Sequence, residues 1–126
     1  MQPEDLRYTN NHEWVRSEDN LATVGITDHA QSELGDIVYV ELPEVGASVH
    51  MGDTIGTIES VKTVTDIIAP VSGKVVKVND ELPETPEKIN ENPYGSGWMV
   101  IIQTQDPSEL NELMAAEQYE QFIQER

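Results

Sequence analysis

The stretch VHMGDTIGTIESVKTVTDIIAPVSGKVVKV, Val49–Val78, constrains this chain more than any other. It holds three runs rich in Val, Ile and Thr. They are separated by Gly52-Asp53, by Val61-Lys62-Thr63 and by the turn from Ala69 to Gly73. β-branched side chains favour a pleated strand, and Gly, Pro and Asp punctuate one. Such strands must pair and bury a face against a second layer. The flanks of Lys62, Ile58 through Ile68, alternate as the two arms of a hairpin do, which puts a lysine at the tip.

The pattern extends in both directions. HEWVR (His12–Arg16) alternates weakly as a first strand, and LATVGI (Leu21–Ile26) returns after the polar turn SEDN. TDHAQSELG reads as a short helix, with Thr27 or Asp28 as its N-cap and Gly35 as its stop. DIVYVEL (Asp36–Leu42) is a strand with Ile37, Tyr39 and Glu41 on one face and Val38, Val40 and Leu42 on the other. Residues 80–97, rich in Pro, Gly and Asn, form a loop with one helical turn at TPEKIN, and Trp98–Thr104 is a buried strand. DPSELNELM opens a C-terminal helix, capped by Asp106, with Pro107 at the first helical position and Leu110, Leu113 and Met114 as its apolar stripe. AEQYEQFIQER continues or restarts it. Many short strands divided by turns imply a mainly β fold, a sandwich or partly closed barrel. Residues 1–126 form one domain, with the hairpin at about 54–68 and the C-terminal helical segment at about 106–125.

A chain of 126 residues can bury a modest core without staples. It has no cysteine, which excludes disulfides, thiolate catalysis and cysteine metal sites. Any sulfur redox chemistry must therefore arrive on a prosthetic group. The net charge of −17 repels nucleic acid and anionic membrane, and suits proteins with basic docking faces. No apolar run approaches the roughly 20 residues of a membrane-spanning helix. MQPEDLRYTN has neither the basic and apolar regions of a signal peptide nor the arginines of a transit peptide, so the expected location is cytoplasmic. His12, His29 and His50 fit no zinc spacing. No triad, phosphate loop or metal motif converges on His12-Glu13 to make an enzyme.

Lys62 is the only lysine before Lys74. A hairpin tip projects from its scaffold and is open to another protein. On spacing alone, the lysine reads first as a solvated charge that discourages edge pairing. The local sequence supplies no desolvating pocket, which a Schiff-base lysine requires. An enzyme bringing its own activated acyl donor can still acylate such a lysine, removing its charge and leaving a long flexible arm.

Gly52-Asp53, the apolar strand, Lys62 and the Ala-Pro-x-x-Gly turn, in this order, resemble the lipoyl/biotinyl carrier pattern. With HEWV, VGITDHAQSELGDIVYVELPEVG, ESVKTVTDIIAPVSG and NPYGSGWM, the chain resembles the H-protein family of the glycine cleavage system, from about Tyr8 to the C-terminal helix. The resemblance implies a lipoyl/biotinyl-type barrel-sandwich hybrid with a short internal helix and a C-terminal helix. It implies lipoate in amide linkage to Lys62. Biotin carriers usually flank their lysine with Met, whereas Val61 and Thr63 stand here, which favours lipoate.

The resemblance further implies a monomeric, non-catalytic shuttle. Its partners in the family are a pyridoxal-phosphate glycine decarboxylase (P protein), a tetrahydrofolate-dependent aminomethyltransferase (T protein) and a flavin dihydrolipoamide dehydrogenase (L protein). One tethered arm visiting three sites keeps intermediates at high effective concentration. The family shelters its hydrolysis-prone aminomethyl adduct in a surface cleft. The matching positions are Asn11, where relatives often have Ser, Glu13 and Asp66. Glu59 matches the acid read by the lipoylating enzyme, a lipoate ligase or octanoyltransferase, and His29 on the short helix is a candidate partner contact. A second role implied by the same likeness is donation of lipoyl groups to 2-oxoacid dehydrogenases.

Overall fold

The computed structural model describes residues 5–124. After β1 (Arg7–Tyr8), strands β2 (Glu13–Glu18) and β3 (Leu21–Ile26) form a hairpin. Its two-residue turn works because Asp19 and Asn20 both take positive φ, 51° and 66°. That is the left-handed pair whose twist suits a tight hairpin, and Asn and Asp tolerate it. Helix α1 (Asp28–Leu34) follows, capped by the Thr27 hydroxyl, which accepts the Ala30 N–H, and ended by Gly35 at φ 79°. Then come β4 (Ile37–Glu41), β5 (Ser48–Val49), β6 (Thr54–Ser60), β7 (Val64–Ile68) and β8 (Gly73–Val78). The single helical turn expected in the long loop is α2 (Lys88–Glu91), and β9 (Val100–Thr104) completes the strands.

These strands make two antiparallel sheets, a six-stranded one ordered β1-β2-β3-β9-β8-β5 and a three-stranded one ordered β4-β6-β7. Ala22, Val24, Ile37, Val40, Ile58, Ile67, Val75 and Ile102 pack in the core that holds them together. The expected barrel-sandwich hybrid is corrected here: neither sheet closes into a barrel. Closure needs hydrogen bonds between the end strands, and those groups are engaged elsewhere. The Ile68 N–H of β7 goes to the Glu13 carboxylate at 2.7 Å, and Tyr8 of β1 exchanges both backbone bonds with Met114. β5 is only two residues long.

Two local expectations are also revised. In β4 a register irregularity between Ile37 and Tyr39 breaks the alternation, so Ile37 and Val40 both face the core while Val38 and Tyr39 are exposed. The C-terminal segment takes the restarting alternative, and Leu113 and Met114 fall outside the first helical stretch expected to hold them. A 3-10 helix, Pro107–Glu112, does start with the Asp106 cap and Pro107, but the chain then extends so that Met114 can pair with Tyr8. It restarts as α3 (Ala116–Gln124). Leu113 therefore joins the main core, whereas Met114 packs on a second cluster of Leu6, Tyr8, Trp14, Ala116 and Tyr119.

Trp14 is fully buried, with its indole N–H bonded to the Pro93 carbonyl at 2.9 Å. Gly25 lies opposite it on β3, and a Cβ there would stand 2.6 Å from the indole ring. Gly25→Ala is expected to cost about 1–3 kcal/mol through overpacking. Urea unfolding measures this, and an unchanged midpoint would count against a tightly packed second cluster.

Candidate functional site

The hairpin tip is built by Ser60. Its backbone N–H donates to the Thr63 carbonyl, and its Oγ accepts the N–H groups of Lys62 and Thr63, both at 3.1 Å. A buried serine hydroxyl thus replaces the partners that a sharp turn removes. The tip is also tied to the scaffold, because the Val61 N–H donates to the Asp36 carbonyl at 3.0 Å. Asn90 of α2 holds that junction from behind. Its amide donates to the Gly35 carbonyl and accepts the Ile37 N–H, each at 2.9 Å.

Lys62 is exposed at this braced tip. Its side chain turns toward the end of α1, where a Cβ on Gly35 would lie 3.4 Å from Cε and 3.9 Å from Nζ. The same helix contributes Ala30, Glu33 and Leu34 to the wall of a cleft of about 150 Å³, completed by Asn11, His12, Glu13, Ile26, Thr65 and Asp66. The lysine stem therefore lies at the end of the helix that borders the cleft.

Asn11, Glu13 and Asp66 converge on that one cleft. Glu59 stands apart, on the exposed face of β6, paired across the sheet with Tyr39 and Val64. His29 does not line the cleft. It is partly buried, 4.9 Å from the His12 ring by centroid, with Nε2 3.3 Å from the Glu33 carboxylate. His12 has φ 64°, so the chain enters β2 only at Glu13. Its Nδ1 and the Thr27 hydroxyl both lie 2.8 Å from the Tyr119 hydroxyl, which ties α3 to the cleft entrance.

Glu13 is the most unusual group. Its side chain is 1% exposed and lines both this cleft and a larger cavity of about 410 Å³ below Ile68. Besides the Ile68 N–H, it accepts the Thr9 hydroxyl at 3.3 Å. Burial dominates over these hydrogen bonds and pushes its pKa from 4.5 up to about 8.

Ser60, Asn90 and Thr9 were not among the residues singled out from the sequence. Only Ser60 left a local signal, a serine three residues before threonine at a tip. Asn90 and Thr9 act over distances that no spacing reveals.

A braced hairpin that offers one lysine beside a cleft of apolar and acidic side chains defines a carrier domain. Residues 6–126 match the family described as Glycine cleavage H-protein, and the chain belongs to that family. It is 55% identical over 123 residues to a glycine cleavage system H protein of Oceanobacillus iheyensis, covering 98% of each chain. It is 58% identical over 121 residues to one of Anoxybacillus flavithermus, covering 96% of this chain and 95% of that one. The crystal structure of a glycine cleavage system H protein from Mycobacterium marinum superposes with a TM-score of 0.90 at 41% identity, covering 97% and 98% of the two chains. The chain is thus a lipoyl-carrying shuttle of glycine cleavage, a carrier and not an enzyme.

Below about pH 4.5 Glu13 holds its proton in the folded and unfolded states alike; from there to about 8 only the folded state keeps it. Stability from this group is therefore full below the lower value and lost as pH rises through the upper one. Between pH 5.5 and 7.5 the loss is expected to be roughly 2–3 kcal/mol. Glu13→Gln keeps an acceptor for the Ile68 N–H and puts a donor toward the Thr9 hydroxyl, as the neutral acid can, and should remove this part of the slope. Urea titrations of both proteins at the two pH values decide it, and parallel slopes would contradict the buried, neutral carboxyl.

Proposed function

We propose that Lys62 is the lysine that carries the lipoyl group, and that Asn11, Glu13 and Asp66 receive the loaded end of the arm. The single observation that carries this reading is the packing of the Lys62 side chain against Gly35, at the end of the helix whose Ala30, Glu33 and Leu34 wall the cleft. The residues fit the group: the tip lysine is open to a modifying enzyme, and Ile26, Ala30 and Leu34 offer apolar walls to a hydrocarbon arm. When bound, lipoate supplies a cyclic disulfide that accepts the glycine-derived aminomethyl unit and is later reoxidised.

The chain's own residues then bind, orient and shelter. Ser60 and the Asp36 carbonyl hold the anchor point still, so the arm pivots from a fixed origin. Asp66 at the cleft rim attracts a cationic end group by charge. Glu13 at the floor accepts hydrogen bonds from it, and gives its proton up to solvent as the cation enters and makes the carboxylate the favoured form. The apolar walls limit water around that end.

Partners follow from the same reading. The P, T and L proteins of glycine cleavage exchange the arm in turn, and a lipoate ligase or octanoyltransferase attaches it. Net charge −17 supports docking to basic faces, with association slowed by salt. Residues 1–126 act as one carrier unit in the cytoplasm, and no helix among the described residues is long and apolar enough to cross a membrane.

Lys62→Arg keeps the tip turn, whose hydrogen bonds use backbone and Ser60, so it should fold like the parent. Reconstituted with P, T and L proteins, it should give no measurable glycine decarboxylation; appreciable activity would overturn the attachment site. Glu59→Ala should slow lipoylation several-fold with a near-parent melting temperature, because the Glu59 side chain is exposed and alanine keeps the backbone that pairs with Tyr39 and Val64. A lowered melting temperature with normal lipoylation would assign Glu59 to structure instead.

A further inference from the structure

The face of the three-stranded sheet that points away from the core is organised in rows. Tyr39, Glu59 and Val64 form one row across β4, β6 and β7, and Glu41, Thr57 and Asp66 form the next. Tyr39 is 47% exposed and Val64 58%, and Val61 beside the lysine is 66% exposed. With Val38, these make four of the seven large apolar side chains exposed among the described residues, all on one sheet and its tip. Scattered exposed apolar residues need no explanation, but a cluster rimmed by polar groups marks a contact surface. This cluster is interleaved with three carboxylates, Glu41, Glu59 and Asp66.

We infer that this outer face, with Tyr39 and Val64 as apolar anchors and Glu41 as a charged rim, is the surface gripped by the enzyme that acylates Lys62. The inference rests on Lys62 being the attachment site. The choice of occupant follows from reach. Four methylenes span roughly 6 Å, so an enzyme that forms a bond to the lysine nitrogen must bring its active centre down onto the tip and the adjoining sheet. Enzymes that act on the far end of the finished arm stand about twice as far away and need not touch this face. The face is negative and apolar, so its partner presents an apolar pocket edged by Lys or Arg. The register irregularity at Ile37/Tyr39 turns Tyr39 outward beside Glu59, which brings β4 into a surface that the hairpin alone cannot supply.

Tyr39→Thr and Val64→Thr test this, because threonine keeps a β-branched, strand-compatible side chain on an exposed face. Each purified, unmodified variant is incubated with a lipoate ligase, lipoate and ATP, and the rate of mass gain is measured. kcat/KM is expected to fall at least about tenfold, mainly through KM, as on removing an interface anchor. Glu41→Gln should give a smaller loss that shrinks further as salt is raised. Melting temperatures should stay at the parent value, and Val45→Thr, exposed on a different loop, should be lipoylated normally. Once driven to full lipoylation, the Tyr39 and Val64 variants should be reduced by dihydrolipoamide dehydrogenase at the parent rate. Parent-like lipoylation of both variants overturns the inference. So does normal lipoylation combined with slow reduction, which assigns the face to the dehydrogenase. If the parent chain itself gains no mass, the attachment reading fails, and this surface with it.

Discussion

One face of the β6–β7 hairpin is buried, and the presentation of Lys62 depends on it. Ile55, Ile58 and Ile67 enter the core between the two sheets, which fixes the hairpin's direction and leaves its other face and its tip in solvent. Burying a side chain of this size stabilises by about 1.5–3 kcal/mol, so three of them hold the hairpin far more firmly than any bond at the tip. The tip bonds act on a finer scale. Ser60, the Asp36 carbonyl and Asn90 behind it remove the slack that a four-residue turn would otherwise keep. The scaffold is braced by hydrogen bonds up to one exposed side chain.

Glu13 shows how the same architecture makes a cleft. Its carboxyl group occupies the place where β2 of the large sheet meets the end of β7, and takes the Ile68 N–H that a neighbouring strand would otherwise use. The sheets therefore stay open at this corner, and the gap between them becomes usable space on both sides of the carboxyl. A buried acid without a cation costs stability. That cost is understandable at a site proposed to receive a cationic group, since the missing partner is then the cargo.

Much of this was legible in the sequence for physical reasons that differ by element. LATVGI and the Thr27–Gly35 helix are local: β-branched content, a hydroxyl cap and a left-handed glycine suffice, and the structure places them at Leu21–Ile26 and Asp28–Leu34. The face assignment of β4 failed because a register shift depends on its partner strand. The C-terminal segment could be read as continuing or restarting, and what decides for the restart and takes Leu113 and Met114 out of the helix is Tyr8, more than a hundred residues away in the chain. Barrel closure was wrong for the same reason, since edge partners such as Glu13 are invisible to periodicity. The convergence of Asn11, Glu13 and Asp66 followed from family likeness, not from spacing. Tyr39 and Val64 read simply as strand residues until the register put them beside Glu59.

The account's central claim is that a rigid handle owns no reactive sulfur and borrows one through a single lysine. Peptide mapping by mass spectrometry, on the chain purified from cells supplied with lipoate and a lipoylating enzyme, tests it most directly. The account predicts the mass of one lipoyl group on the peptide containing Lys62, with Lys74, Lys77 and Lys88 unmodified. A bare Lys62 under those conditions, or the group on another lysine, would contradict it.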